Sequence, residues 1–564
     1  MPEPNSLADL ALFEGCSPDE LSGLTSSLRD VRTVTDGDVI CTEGSVADRW
    51  WIIIEGTAAV TLAGLFVAEI GAGESFGEMA LIEGRPCGAT VTATSDMVLQ
   101  EVDGSRFIEN LLESPSVMLA LLRETTGRLR SANENAERPA PAPSHPRVAP
   151  RRPPPGSTGE TLVDPRDPAF LADPYPYYDL LRAKDPVHFD PVIDGFILTR
   201  YADVHRLARD RSLAVDISRA YSTQAVDAEV ARNRIGGGHL HQMMLRRDGE
   251  DHSRLRGFVA KAFTPKAISS WRDRTQAEVD ELITSLAERS EADIIADFAL
   301  PLPALIISAM LGMPAADIPQ LRAWSVAITK TFDPLNAPEE EAKSIEAGRA
   351  LSRYVEDVVR EKRASLCEDI LSELIQAEIS GERLTLEELV SQVTLLYIAG
   401  HENTLNLIGN GLVHLLEYPE QLDRLRGDRG LEANAIEELI RFDSPVQYTR
   451  RIALGPVKID DVLIPEGSVM LLCLGGANRD PDKWGPEADV LDLARPRANE
   501  HASFGGGPHH CLGSALARLE AQVALPELVR RLPRMTPVYD EPMWARRMII
   551  RGVERLPVTL GHNA

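Results

Sequence analysis

The segment Phe504-Gly505-Gly506-Gly507-Pro508-His509-His510-Cys511-Leu512-Gly513 places one cysteine in a glycine-rich loop, directly before a strongly helical run that begins at Ser514. The glycines allow a tight turn and a close approach of the backbone to a flat ligand. The amides at the start of the helix point at the sulfur and favour its thiolate form. Such a thiolate can bind a metal ion axially. A small buried hydrophobic cysteine is the alternative, and the loop alone leaves it open.

The cysteine loop resembles the haem-binding signature of the cytochrome P-450 family, F-x-x-G-x-x-x-C-x-G. The resemblance implies that Cys511 is the axial ligand of the iron of haem b and donates electron density toward O–O cleavage. It further implies that three other residues of the loop contact the cofactor, namely Phe504, Gly505 and Gly513.

A long apolar helix carries a second motif. A capping box, Thr385 with Glu388, opens this helix, which we expect to continue toward Leu416. In its middle, small and polar residues let the backbone and a carboxylate come close to a bound ligand, and the stretch looks like the family's oxygen-binding motif A-G-x-D/E-T-T. The resemblance implies cofactor contacts by Ala399 and Gly400, and catalytic roles for Glu402, Asn403 and Thr404.

Asn403 departs from the family motif, which has threonine at this position. An amide donates a hydrogen bond but is not a practical proton carrier. Protons then have to arrive through Glu402, an ordered water, Thr404 or a substrate hydroxyl, with either good coupling or leakage to hydrogen peroxide. The alternative is that Asn403 merely fills the threonine position while waters carry the protons.

Four basic residues form a further predicted group. His252 and Arg256 are four residues apart on one helix face, and both can donate to an anion. In the family such an H-x-x-x-R motif holds the haem propionates, together with an arginine that matches Arg451 and the histidine two residues before the cysteine, His509. Charge-assisted bonds of this kind are strong and orienting. Arg450 is an alternative to Arg451.

Glu438 and Arg441 are three residues apart on one predicted helix face and can form an ion pair. An exposed pair of this kind contributes little to stability. The two residues lie between the apolar helix and the cysteine loop, where the family has its E-x-x-R pair. The resemblance implies that they are structural.

The composition describes an ordinary globular chain, with 43% hydrophobic and 26% charged residues among 564. The net charge of -27 disfavours nucleic acid as a partner. The six cysteines form no C-x-x-C pair, which argues against a disulfide framework or a zinc site and favours the cytoplasm. We find no signal peptide and no apolar run of membrane-spanning length, and therefore expect no membrane association.

A proline-rich stretch divides the chain. Residues 131–160 have too little apolar surface to build a core, and we interpret them as a semi-stiff linker rather than as a ligand for an aromatic groove. The predicted domains are therefore 1–130 and 161–564. Periodic apolar runs with a few short strands in the second domain predict a mainly-α fold with minor β-sheets, as in a cytochrome P-450 of the soluble bacterial type.

The first domain shows short alternating strands broken by glycines, and then an amphipathic helix from about residue 105 to 129. This pattern predicts a small β-roll with a trailing helix and resembles the cyclic nucleotide-binding domain. The resemblance implies a nucleotide pocket at Gly77, Glu78 and Thr90, but Cys87 stands where the family has its phosphate-binding arginine. Losing that contact costs about 1.5 to 3 kcal/mol or more. Rescue by Arg85 is open, but we favour a docking role or a homodimer through this domain over nucleotide binding.

Together the resemblances imply a haem-thiolate monooxygenase that inserts one oxygen atom from O2 into an apolar small molecule. No flavin or nicotinamide motif is present, so a separate ferredoxin and ferredoxin reductase are implied as electron donors, with Arg246, Arg247 and Arg518 as candidate contacts. Two alternatives remain: an oxygenase gated by a nucleotide at the first domain, and a haem-based sensor that no longer oxidises.

Overall fold

The computed structural model describes residues 28–42, 44–45, 48–62, 65–83, 87, 89–104, 164, 166–221, 242–330, 338–379 and 384–561. The chain divides into two compact units, Met1–Pro146 and Arg147–Ala564. The predicted linker 131–160 and the predicted trailing helix 105–129 lie outside the described residues. The predicted domain boundaries therefore stay predictions.

The first unit contains two four-stranded antiparallel sheets, with strand orders β1-β8-β3-β6 and β2-β7-β4-β5. A short helix, α1 (Glu78–Glu83), follows β6. The strands are β1 (Leu28–Val34), β2 (Val39–Cys41), β3 (Arg49–Glu55), β4 (Thr57–Leu62), β5 (Leu65–Gly71), β6 (Ser75–Phe76), β7 (Thr90–Ala93) and β8 (Met97–Asp103).

Apolar residues of both sheets form the core of this unit. Trp51 and Ile53 of β3 pack with Leu99 of β8 and with Val91 of β7 in one buried cluster. The two sheets face each other through these side chains, as in a sandwich or roll. The predicted β-roll is confirmed for the described strands.

The second unit is mainly helical. Its helices are α2 (Pro168–Ala172), α3 (Tyr175–Lys184), α4 (Tyr201–Leu207), α5 (Gly249–Ala260), α6 (Pro265–Ser269), α7 (Arg272–Ala287), α8 (Pro301–Leu311), α9 (Ile318–Thr329), α10 (Pro338–Ala364), α11 (Ile370–Ile379), α12 (Leu386–Glu417), α13 (Pro419–Gly427), α14 (Glu432–Phe442), α15 (Leu474–Ala477), α16 (Pro481–Trp484) and α17 (Ser514–Arg531).

Small sheets complete the second unit. The largest has five strands in the order β11-β13-β16-β10-β9, and a second has the order β12-β20-β17. Two further pairs, β14-β15 and β18-β19, are antiparallel. The strands are β9 (Val187–Asp190), β10 (Gly195–Leu198), β11 (Leu213–Ala214), β12 (Glu291–Asp293), β13 (Tyr448–Ala453), β14 (Val457–Ile459), β15 (Val462–Ile464), β16 (Val469–Cys473), β17 (Thr536–Pro537), β18 (Met543–Trp544), β19 (Val553–Arg555) and β20 (Pro557–Thr559).

Helix α12 passes through the centre of the helical core. The predicted capping box begins it, since Glu388 N donates to Thr385 Oγ1 at 3.1 Å and Thr385 N donates to Glu388 Oε2 at 2.8 Å. Its apolar residues belong to one large cluster that also includes residues of α8, α14 and α17. Within the described residues, no helix combines the length and the apolar character that a bilayer crossing requires.

Candidate functional site

The cysteine loop turns sharply just before α17. Cys511 N donates to the carbonyl of Phe504 at 2.9 Å, and this bond closes the loop. Gly507 has φ +63°, and a Cβ there would lie 2.8 Å from the Cα of Arg209, so glycine is required on both counts. Phe504 is half-buried against the helical core, and Gly513 stands at the N-terminus of α17. The loop thus holds the backbone of Cys511 in one position.

The Cys511 side chain is exposed, yet desolvation raises the pKa of its thiol. These two properties occur together in a group that lines a deep cleft. The amides of Gly513 and Ser514 and the guanidinium groups of Arg256 and Arg518 lower the pKa, but less than desolvation raises it. The expectation that the loop by itself favours thiolate over thiol is therefore wrong. Binding of a metal cation deprotonates such a thiol.

Helix α12 has an accessible segment within its buried length. Ala399 is exposed, although Tyr397 and Ile398 before it and His401 after it are buried. Gly400 packs on α8, where a Cβ would lie 2.7 Å from Ile307 Cγ1. Substitution of this glycine would push the two helices apart.

Two contacts set the register between α12 and α17. Thr404 lies beside Glu520, and a Cβ on Gly411 would lie 3.1 Å from Leu525 Cδ1. The helices therefore run in the same direction. This register brings the accessible Ala399 toward the start of α17, which Cys511 directly precedes. Ala399 and Cys511 therefore lie at the same end of the α12–α17 pair.

Glu402 is buried and ion-paired. Arg547 Nη1 donates to its Oε1 at 2.7 Å, and Thr329 Oγ1 donates to the same oxygen at 3.3 Å. The neighbouring Asn403 is half-buried, and its Oδ1 has no hydrogen-bond partner within the described part of the chain. Sequence reasoning missed Arg547, because an arginine near the C-terminus carries no signal for a partner 145 positions away.

Glu520 is a buried acid that sequence reasoning also missed. It is 0% exposed, and neither of its carboxyl oxygens makes a hydrogen bond of normal geometry to a described residue. Burial raises its pKa to about 8, against a smaller opposing effect of the adjacent Thr404 hydroxyl. The carboxyl is therefore protonated at neutral pH and can act as a proton donor. Glu520 is spaced so that it shares a helix face with the apolar Leu516 and Val523, and this spacing could have predicted its burial from the sequence.

The four predicted basic residues surround the cysteine loop. Arg256 Nη2 donates to the carbonyl of His510 at 2.7 Å, and the rings of His252 and His509 lie with centroids 4.1 Å apart. His509 Nε2 is 3.5 Å from Asp248 Oδ1. Burial, with the charges of His509 and Arg256, lowers the pKa of His252 to about 4, so this ring is neutral and donates through one N–H.

Arg451 is the buried arginine of this group. Its Nη2 donates to the carbonyl of Ala208 at 2.8 Å, and its Nη1 donates to Arg450 O at 2.7 Å and to Thr449 Oγ1 at 3.2 Å. Burial lowers its pKa to about 10, so it stays cationic at neutral pH. None of these three acceptors is an anion, as expected for a cation that takes its counter-charge from a bound ligand. Arg450, the alternative, is half-buried.

The donor set fits a haem. A thiol faces accessible space, and the buried Arg451 guanidinium donates to neutral acceptors within the described part of the chain. The rings of His252 and His509 are in contact, and Arg256 bonds to the cysteine loop. One soft metal ligand and several donors for carboxylates are what a haem with two propionates requires.

The predicted pair Glu438 and Arg441 is fully buried and bidentate. Arg441 Nε and Nη2 donate to the two carboxylate oxygens at 2.6 and 2.8 Å. Arg495 Nε donates to Glu438 Oε1 at 3.0 Å, and Arg441 Nη1 donates to the carbonyl of Asn478 at 2.7 Å. The pair joins α14 to the segment that precedes the cysteine loop.

The predicted pocket residues of the first unit lie on α1, on β7 and in the segments beside them. Glu78 is buried at the start of α1, and Gly77 has φ +94° with its Cβ position 2.8 Å from Arg49 O. Thr90 lies on β7. Cys87 is half-buried, and its backbone N–H donates to Ser45 O at 2.8 Å. Arg85 lies outside the described residues.

Two of the candidate contacts for an electron donor, Arg518 and Arg247, differ in the charge of their hydrogen-bond partners. Arg518 donates to both oxygens of Glu437 at 2.6 and 3.0 Å and lies over the ring of Phe504. This pairing compensates its charge. Arg247 Nη2 donates to Gln242 Oε1 at 2.6 Å.

Two family models match the chain. The model "Cytochrome P450" matches residues 220–429 and 431–547, and the model "Cyclic nucleotide-binding domain" matches residues 31–114. The first match spans most of the helical unit, and the second spans the β-roll.

Curated relatives and solved structures agree with the first match. Cytochrome P450 107B1 of Saccharopolyspora erythraea is 37% identical over 401 residues, which are 70% of this chain and 97% of the relative. The monooxygenase PikC of Streptomyces venezuelae is 36% identical over 398 residues, which are 69% of this chain and 91% of the relative. The structure of P450BioI with a fatty-acyl carrier protein covers 70% of this chain and all of its own, at 34% identity and a TM-score of 0.64.

Proposed function

The chain belongs to the cytochrome P450 family, whose members use haem with an axial cysteine thiolate, and from this premise we propose that it inserts one oxygen atom from O2 into an apolar small molecule. The observation that carries the proposal is the accessible thiol of Cys511, together with the buried Arg451, whose hydrogen bonds among the described residues go to neutral acceptors. Its named relatives include monooxygenases.

Haem b, when bound, supplies the iron that activates O2. In the proposal the sulfur of Cys511 would ligate its iron, and His252, Arg256, Arg451 and His509 would hold its propionates. Four further residues are assigned to contacts with the ring or its surroundings, and these are Ala399, Gly400, Phe504 and Gly505. Gly513 keeps the backbone before α17 compact.

We assign proton supply to Thr404 and Glu520 rather than to Asn403. The Glu520 carboxyl is protonated at neutral pH and lies beside the Thr404 hydroxyl, which can accept its proton and donate its own onward. Glu402 is ion-paired with Arg547, so it can take part in a proton relay only after this ion pair breaks. Asn403 then only donates a hydrogen bond.

Replacing Glu520 with glutamine should lower the ratio of product formed to reduced cofactor consumed by about tenfold or more, because glutamine cannot give up a proton. The wild-type ratio should fall as pH rises through about 8, where the acid ionises. Product and hydrogen peroxide are measured together across pH.

Asn403→Thr is the matched control, and we expect it to change the ratio by less than about twofold. A second readout is the free energy of unfolding. Burial raises the pKa of Glu520 from 4.5 to about 8, so the free energy of unfolding of the wild-type chain should fall as pH rises from 4.5 to about 8. Glu520→Gln should remove this pH dependence. A normal product ratio in Glu520→Gln would overturn the proton route.

The proposed substrate is apolar. We assign the pocket lining to two segments, about 215–240 and 395–398. Leu395 and Ile398 lie in the apolar core, and Ile398 directly precedes the accessible Ala399. Residues 222–240 lie outside the described ones. Solved relatives were crystallised with apolar molecules, one with myristic acid and another with testosterone. A screen of fatty acids, terpenes and polyketides for a haem spin-state shift tests the class.

A ferredoxin and a ferredoxin reductase are the proposed electron donors, because the sequence carries no flavin or nicotinamide motif. A haem-based sensor is the second candidate, and the unusual Asn403 favours it. O2 consumption that depends on a substrate, measured with surrogate ferredoxins, distinguishes the two. Product formation refutes the sensor, and its absence with every donor and every bound substrate refutes the oxygenase. The cytoplasmic location stays a prediction.

For the first unit we propose docking or dimerisation rather than nucleotide binding. Cys87 supplies no charge at the phosphate-binding position, although the buried Glu78 is retained. Calorimetric titration with cyclic AMP and cyclic GMP should show no saturable binding to the wild-type chain. Cys87→Arg should raise the affinity by roughly tenfold to several hundredfold, as one charge-assisted bond does.

Cys87→Ser, which adds no charge, is the matched control and should stay without binding. Tight binding by the wild-type chain, with a change in turnover when nucleotide is added, would establish the gated oxygenase instead.

A further inference from the structure

A second thiol faces Cys87 in the first unit. Cys41, the last residue of β2, lies within hydrogen-bonding reach of the Cys87 side chain, and its Sγ also lies 3.7 Å from the carbonyl of Ala89. Both cysteines are half-buried. Two thiols therefore meet at the position where the related domains have one arginine.

The backbone holds the two cysteines in register. Gly44 N donates to Cys87 O at 2.8 Å, and Cys87 N donates to Ser45 O at 2.8 Å. Cys41 itself pairs with Val91 across β2 and β7. Both chain segments are thus fixed within a few residues of their sulfur atoms. Formation of an S–S bond of about 2.05 Å requires the two sulfurs to move closer together, which side-chain rotation can supply.

We propose that Cys41 and Cys87 form a reversible disulfide, so that a thiol-redox site occupies the place of a phosphate-binding site. The oxidant is a hydroperoxide, with hydrogen peroxide as the simplest member. Among the described residues no cluster of three or more histidine, cysteine or acidic side chains could hold a metal ion. The two thiols are therefore interpreted as a redox pair and not as part of a metal site. The inference does not depend on the proposed oxygenase reaction.

The reaction is a two-electron oxidation in two steps. Cys87 sulfur attacks one oxygen of hydrogen peroxide, the O–O bond breaks, and a sulfenic acid and one water result. Cys41 sulfur then attacks the sulfenic sulfur, the S–S bond forms, and the hydroxyl leaves with the Cys41 proton as a second water. Burial and the neighbouring Cys87 raise the pKa of Cys41 to about 12, which disfavours its thiolate, so Cys87 is assigned the first attack.

Peptide mapping of the full-length chain tests the proposal. Trypsin cuts after Arg32, Arg49 and Arg106, so the two cysteines fall in different peptides, 33–49 and 50–106. The reduced chain is treated with hydrogen peroxide, alkylated, digested and analysed by mass spectrometry. We expect one linked pair of these peptides, which dithiothreitol separates and thioredoxin reduces.

Cys41→Ser and Cys87→Ser should each lose the linked pair, and the exposed Cys367 provides the matched control. Cys367→Ser should keep the linkage unchanged. The proposal is overturned if the Cys367 peptide becomes oxidised while peptides 33–49 and 50–106 stay unlinked. It is equally overturned if Cys87 links to other cysteines as often as to Cys41.

Discussion

Cys511→Ala is expected to abolish oxygen insertion and the thiolate character of the haem spectrum. The side chain is exposed, and a backbone bond from Cys511 N to Phe504 O closes the loop, so the loop should keep its conformation in the variant. A thiolate ligand supplies electron density that a neutral replacement cannot supply. The measurement is the difference spectrum of the reduced carbon monoxide adduct, together with product formation.

Cys511→Ser and Cys473→Ala distinguish loss of the ligand from loss of the fold. Serine keeps the size of the side chain but is a poor ligand for haem iron, so it should behave like alanine. Cys473 is buried at the end of β16 and has no role in the proposed site, so its variant should keep the thiolate spectrum. A thiolate spectrum in Cys511→Ala would mean that another residue is the ligand.

Arg441→Leu should produce the largest loss of stability among the single substitutions considered. Both members of the Glu438–Arg441 pair are 0% exposed. Removing the arginine leaves a buried carboxylate with Arg495 and one backbone amide as its remaining donors, at a cost of about 3–5 kcal/mol. Two carbonyls, of Asn478 and Ala488, also lose their donor. The measurement is the denaturant midpoint of the transition that belongs to the helical unit.

Arg497→Leu provides a matched comparison. Arg497 and Glu500 have the same spacing and a similar bidentate geometry, at 2.5 and 2.8 Å, but Arg497 is 72% exposed. Water replaces the lost partner at the surface, so we expect a much smaller effect. Equal losses of stability in Arg441→Leu and Arg497→Leu would show that burial does not set the strength of the Glu438–Arg441 pair.

The family and its motifs were predictable from the sequence, whereas the environment of each motif was not. The spacing of Glu438 and Arg441 predicted an ion pair, and on its own it fitted a weak surface pair. Its burial depends on Arg495 and on carbonyls up to 49 positions away, which no local pattern encodes.

Long-range pairing also explains the residues that sequence reasoning missed. The spacing of Glu520 from Leu516 and Val523 indicates a buried position, but its neighbour Thr404 is identified only by the packing of α12 against α17. The proximity of Cys41 to Cys87 likewise depends on the pairing of β2 with β7. The preference of the cysteine loop for thiolate was overestimated for a related reason. Local amides are visible in the sequence, but the desolvation that opposes them comes from the whole fold.

The hydrogen bond from Arg256 to His510 joins positions 254 residues apart. During synthesis the helix that carries Arg256 leaves the ribosome long before the cysteine loop does, so the cofactor can be captured only near the end of translation. All described strands of the first unit, in contrast, lie between Leu28 and Asp103, and this unit can fold while the rest of the chain is still being made. A nascent chain arrested before residue 511 should therefore contain a folded β-roll and show no absorbance from bound haem.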